Sequence, residues 1–216
     1  MRKKVEQFQS VILDYWQTNG RHFLPWRKSR NPWEILVAEL LLRKTTTSQA
    51  EAGFKKLGHL TADEIARMSS VELESIFYPL GMRKVKAEQL QEIASKVKEV
   101  DLSKLKSDKF LRSMRGVGPY ISNSVRCIAY GIPVPALDTN MIRLIERVFG
   151  WHSKRARARE DKNLWHFAES LVPKNACREY NWGVLDFGAA ICTSRNPKCS
   201  ICPLQDICNY YQELVS

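Results

Sequence analysis

A chain of 216 residues with 44% hydrophobic content can bury a core as one large domain or two small ones. No apolar run approaches the roughly 20 residues that a membrane span needs, and the opening "MRKKVEQFQSVILDYW" is interrupted by polar residues throughout, so a soluble intracellular protein is expected. Against 23 Asp+Glu stand 34 Lys+Arg, a net charge of +11, clustered at "RKSR" (27–30), "RKVK" (83–86) and "KRARAR" (154–159). Charge alone fits a polyanion partner and a merely solvated basic surface equally well.

Helical spacing recurs along the chain and strand-like alternation does not, so the fold is expected to be all-α. Phe8, Val11, Ile12, Tyr15 and Trp16 make the first apolar stripe, closed by "NG" at 19–20. After "NP" at 31–32, Pro32 suits the first turn of a helix, and "WEILVAELLL" is apolar almost all round, as in a buried helix. Glu39 is the one carboxylate from Ile35 to Leu42. Taken singly it slightly favours a narrow exposed face over a buried carboxylate with a raised pKa. "PLG" at 79–81 breaks the chain before a second stripe of Leu90, Ile93, Val97 and Val100.

Next come two short helical patterns, with Phe110, Leu111 and Met114 on the first and Ile121, Val125 and Ile128 on the second, joined by "GVGP" at 116–119. Glycines there permit positive φ and a close backbone approach, and Pro119 can open the second helix without wasting a donor. The amides of Val117 and Gly118 are then expected to face outward beside a positive helix end, a corner suited to phosphate. On composition alone a GxG turn is more often a plain tight connection. "GIPVP" at 131–135 follows, then Asp138 in "ALDTNM", where an Asp has sufficient reason to stand as a helix N-cap. Four of the six cysteines fall within seventeen residues as Cys192-x6-Cys199-x2-Cys202-x5-Cys208. Four-cysteine ligation serves zinc or an iron-sulfur cluster, and one Cys-x2-Cys flanked by longer arms is unlike paired zinc knuckles. Cys127 and Cys177 read as ordinary core or surface residues.

"LRSMRGVGPYISNSV", followed by "GIPVPALDTNMIRLIERVFG", resembles the helix-hairpin-helix and catalytic-aspartate region of the base-excision DNA glycosylases. The cysteine spacing is similar to the [4Fe-4S] signature of their endonuclease III and MutY-like branch. The resemblance spans essentially the whole chain. It implies a six-helix barrel over residues 25–136 with the hairpin at about 107–130, a cluster domain of 1–24 plus 137–216, and a DNA cleft between the two lobes. It also implies Cys192, Cys199, Cys202 and Cys208 as cluster ligands, with Arg195 and Lys198 of the cluster loop, together with Gly116, Val117 and Gly118, on the DNA backbone.

By the same resemblance Asp138 stabilises the cationic sugar and helps a water attack, while Arg43, Lys44 and Met82 fill the gap left by a flipped nucleotide. Tyr120 stands where endonuclease III-type enzymes carry the lysine that forms a Schiff base, and a phenol cannot form that imine. Tyr120 with Glu39, Asp138 and "AELLLRKTT" looks like the mismatch-specific thymine-DNA glycosylases of the MIG type, in which the tyrosine lies against the flipped pyrimidine and the glutamate reaches its polar edge. The expected activity is monofunctional removal of thymine or uracil mispaired with guanine. The implied partners are mismatched duplex DNA and a downstream AP endonuclease, and the implied setting is a monomer at a prokaryotic nucleoid. The alternatives are a MutY-type adenine glycosylase, disfavoured by Arg43-Lys44 in place of a Gln-rich stretch, an endonuclease III-like lyase, and a catalytically silent DNA-binding module.

Overall fold

The computed structural model describes residues 1–78 and 83–216 and contains no strand among them. In chain order the helices are α1 (Arg2–Asn19), α2 (Pro25–Lys28), α3 (Pro32–Leu42), α4 (Thr47–Leu57), α5 (Ala62–Arg67), α6 (Ser70–Ile76), α7 (Arg83–Val97), α8 (Asp108–Arg112), α9 (Pro119–Tyr130), α10 (Thr139–Phe149), α11 (Lys162–Ser170), α12 (Cys177–Ala190) and α13 (Asn209–Val215). They form two compact units, one of residues 22–130 and one of residues 1–21 with 131–216. Among the described residues no helix is long and apolar enough to cross a membrane.

In the continuous unit, α3 is the central element. Asn31 accepts from the Trp33 amide at 2.9 Å to cap it, Pro32 opens it, and every residue from Trp33 to Leu41 except Glu34 is buried. A helix sequestered on all sides needs neighbours on all sides, and α4, α7 and α9 supply them. Glu39 is only 8% exposed, so the expectation of an exposed face fails there. Around α3, the helices α4, α5 and α6 each start with a reciprocal capping box, Thr46–Gln49, Thr61–Glu64 and Ser69–Glu72, which satisfies orphan amides at three successive helix starts. Leu90, Ile93 and Val97 are buried on α7 as their spacing predicts, but the helix ends at Val97 and leaves Val100 beyond it.

In the discontinuous unit, α1 lies on α12 through Phe8, Ile12 and Trp16. The approach is close: a Cβ on Gly183 would stand 2.7 Å from the Ile12 carbonyl oxygen. Asp186, buried on α12, accepts from the Arg21 amide at 2.9 Å and from its Nε at 2.6 Å, which fixes the exit of α1. Asn181 of α12 accepts from the Ala136 amide at 2.8 Å and donates to the Val134 carbonyl at 3.0 Å. One side-chain amide thus orients the extended segment that delivers Asp138 to the start of α10.

Candidate active site and cluster-binding segment

The hairpin is α8, the connection 113–118 and α9. Ser107 caps α8, and Ser122 of α9 donates to Asp108 of α8 at 2.7 Å, so a hydroxyl ties the two helices together. Of the two glycines only Gly116 lies at positive φ, +77°. A Cβ there would also fall 1.6 Å from Gln89 Nε2. Gly118 has no atom within 4 Å of its missing Cβ, so it offers open approach instead of unusual backbone. The Val117 amide donates to the Met114 carbonyl at 3.1 Å and its side chain is buried, which corrects the expectation of a free outward amide at that residue. The outward corner is built from Gly118 and the first turn of α9, where Pro119 is exposed and Tyr120 half-buried.

Arg43 follows the last residue of α3 and its Nη1 donates to Gln89 Oε1 at 2.8 Å and to the Gly116 carbonyl at 3.4 Å. Gln89 Nε2 in turn donates to the Arg115 carbonyl. The end of the helix that carries Glu39 is therefore locked to the hairpin loop. Neither Gln89 nor this link is expected from the sequence alone. Lys44 is exposed at φ +51°, so the chain turns sharply where the basic pair ends. Lys86, 7% exposed on α7, donates to the Leu41 carbonyl at 3.3 Å. Burial, helped by the nearby Arg43 guanidinium, pulls its ammonium down to about 8. Met82 lies outside the described residues.

The fit at Gly116 gives a direct test of the lock. Gly116→Ala is expected to destabilise the protein by about 1–3 kcal/mol from backbone strain alone, with the displaced Gln89 adding to it. A urea midpoint indistinguishable from wild type would contradict the assignment.

In the other unit, Asp138 caps α10. Its Oδ1 accepts from the Asn140 and Met141 amides, both at 2.9 Å, and its Oδ2 accepts from Asn140 Nδ2 at 2.6 Å. Burial pushes the carboxyl pKa up, against the pull of these three donors and of the Arg143 charge. Asn140 is held by Arg143, whose Nη2 reaches Asn140 Oδ1 at 2.8 Å and the Gly188 carbonyl at 2.7 Å, while its Nε donates to the Cys192 carbonyl at 2.7 Å. One turn on, Arg147 Nη1 donates to Cys192 Sγ at 3.3 Å and the Thr193 carbonyl at 2.7 Å, and the guanidinium lies over the Tyr210 ring. Asn140, Arg143 and Arg147 recur at helical spacing on one face, and that periodicity is the signal by which sequence reasoning could have found them.

Cys192, Cys199, Cys202 and Cys208 all line one cavity whose other walls include Leu144, Phe187 and Leu204. All six cysteines are free of disulfides, and Cys127 and Cys177 are buried elsewhere. Burial, with the other three sulfurs adding to it, pushes the Cys202 thiol up to about 11, and burial raises Cys208 as well. Four crowded thiols resist ionising together unless positive charge lies among them. Among the described residues no three Cys, His, Asp or Glu side chains converge closely enough to grip a single ion. Four thiols around one cavity are the soft donor set that an iron-sulfur cluster takes. The loop from Thr193 to Lys198 presents Arg195 and Lys198 as exposed cations, with Thr193 Oγ1 donating to the Arg195 carbonyl at 2.7 Å.

A helix-hairpin-helix unit, a capped aspartate and a four-cysteine segment define a base-excision DNA-repair protein of the glycosylase class. The profile described as HhH-GPD superfamily base excision DNA repair protein matches residues 37–169, and the chain belongs to that superfamily. The iron-sulfur binding domain of endonuclease III matches residues 192–208, beginning and ending on cysteine, and the cofactor is a [4Fe-4S] cluster. The chain is 41% identical over 213 residues to a thymine/uracil-DNA glycosylase of Pyrobaculum aerophilum, covering 96% of this chain and 93% of the relative. It is 36% identical to a thymine-DNA glycosylase of Aeropyrum pernix, covering 96% of each. A solved structure titled as a thermostable thymine-DNA glycosylase superposes with a TM-score of 0.89 at 35% identity, covering 98% of both chains.

Proposed function

We propose that this chain hydrolyses the N-glycosidic bond of thymine or uracil mispaired with guanine and leaves the strand intact. The observation that carries the reading is the residue set itself: a buried carboxylate on α3, a phenol in the first turn of α9 where a lyase has its amine, and an aspartate held by three donors at the start of α10. Likeness to thymine and thymine/uracil glycosylases over nearly the whole chain supports it.

In this reading the C1′–N1 bond breaks with its electron pair leaving on the base. Glu39 hydrogen-bonds the polar edge of the flipped pyrimidine, and Tyr120 lies against its ring. Asp138 faces the positive charge developing on the sugar and takes the proton of the water that attacks C1′. Its fixed hydrogen bonds keep the carboxylate from turning away, so no reorganisation is needed as charge develops. Arg43 and Lys44 occupy the space the nucleotide leaves, and Arg195, Lys198 and the hairpin corner at Gly118 meet the backbone. Cys192, Cys199, Cys202 and Cys208 ligate the cluster, which when bound cross-links the C-terminal loop. The protein acts as a cytoplasmic monomer at the nucleoid, and its abasic product passes to an AP endonuclease.

The test is incubation with duplexes bearing G·T, G·U, adenine opposite oxidised guanine, and thymine glycol, read with and without alkali. Breaks at G·T or G·U only after alkali are expected. Cleavage of the adenine duplex alone, or of none, overturns the proposal.

A further inference from the structure

The basic run 154–159 has no part in the chemistry above, yet the fold turns it back onto α10. Arg157 to Glu160 form one wall of a groove of about 650 Å³ whose other wall is Thr139, Ile142, Arg143, Glu146 and Arg147. The groove begins at the residue after Asp138 and ends at the arginine that holds the cysteine loop. From Thr139 to Arg147 the helix rises about 12 Å, several times the ~3.4 Å rise per nucleotide along one strand of a duplex.

Its two walls contribute charge differently. Arg143 and Arg147 spend their donors on carbonyls and on Cys192 Sγ, so they are fixed positive charges in the floor. Arg157 and Arg159 are exposed. Arg157 is engaged by Glu160 at 3.2 Å, an exposed pair of the kind that is easily exchanged for another anion. The loop that presents them is already ordered. Ser153 donates to Asp161 at 2.7 Å, the Asp161 amide closes on the Ala158 carbonyl at 3.0 Å, and Trp165 Nε1 holds the Arg159 carbonyl at 2.8 Å. Binding there would cost little ordering of backbone.

We propose that this groove binds the sugar-phosphate backbone of duplex DNA beside the excised nucleotide, through Arg157 and Arg159. The proposal rests on the chain acting on duplex DNA, and it adds a backbone contact separate from both the hairpin and the cluster loop. Each phosphate neutralised releases counterions, so each contact steepens the salt dependence of binding.

The experiment compares full-length wild type with an Arg157→Ala/Arg159→Ala double variant for equilibrium binding to a G·T duplex, between about 50 and 200 mM salt. The slope of log affinity against log salt is expected to fall by about two, so that wild type loses about tenfold more affinity than the variant over that range. Glu160→Gln frees Arg157 and is expected to tighten binding. Its opposite sign keeps the test independent of any misfolding in the double variant. An unchanged salt slope, or no tightening with Glu160→Gln, overturns the proposal. Absence of base release by wild type would instead strike the proposed activity, while the salt slopes would still report whether the groove meets DNA.

Discussion

Asp138→Asn is expected to lower base release from a G·T duplex on the order of 10³-fold while leaving duplex binding and folding intact. Asparagine caps a helix about as well as aspartate, so its side-chain oxygen can still accept from the Asn140 and Met141 amides. What disappears is the negative charge, together with the bond from Asn140 Nδ2, which the new amide nitrogen cannot accept. Because burial raises the carboxyl pKa, the ionised form gains nothing for stability at neutral pH. A group whose folded pKa is raised above its unfolded value contributes stability below the unfolded pKa and loses it as pH rises through the folded one. Losing the charge therefore costs no stability, and a drop in stability of about 1 kcal/mol is expected only from the lost Asn140 bond. The same shift sets the acid limb of the reaction: single-turnover rate is expected to fall, as pH is lowered, at a pH above the ordinary carboxylate range. Loss of binding or of folding in Asp138→Asn would instead mean that the residue serves only as a cap.

Tyr120→Lys is expected to convert part of the activity from simple base removal to strand cutting, seen as a covalent DNA adduct trapped by borohydride. The residue lies in the first turn of α9, half-buried beside an exposed Pro119, so a lysine there keeps its amine in reach of water and of a DNA strand. The chemistry balances simply: the amine attacks C1′ of the abasic sugar, water leaves, and the imine allows β-elimination of the 3′ phosphate. No trapped adduct on a duplex already carrying an abasic site would detach Tyr120 from the sugar and weaken the whole assignment of roles.

Much of the fold is legible because it depends on short-range order. The stripes on α1, α7, α8 and α9 are one-dimensional patterns, and Pro32 and Pro119 mark helix starts as their missing amides require. The three capping boxes were equally open to reading as Thr/Ser-x-x-Gln/Glu. The burial of Glu39 is illegible for a physical reason: in a helix apolar all round, no periodicity says which side faces water, and here no side does. The Val117 amide was misread because a turn that closes on Met114 differs from an open anion-binding corner only in its dihedral angles. Gln89, Lys86 and Arg143 act over separations of about 26 to 49 residues, beyond what spacing rules reach. The cysteine segment is the opposite case, since its chemistry is carried by local spacing.

The pairing of α1 with α12 has a consequence for how the chain is made. Phe8, Ile12 and Trp16 leave the ribosome well before the surface that covers them, which lies on a helix that begins only at Cys177. Residues 22–130 are contiguous in the chain and form a compact unit, so that unit is complete before α12 is made. The first helix must wait, with its apolar stripe exposed, for most of the synthesis, and its closure is the slow, long-range step. Because α12 leads directly into Cys192, docking α1 on α12 also steadies the start of the four-cysteine segment.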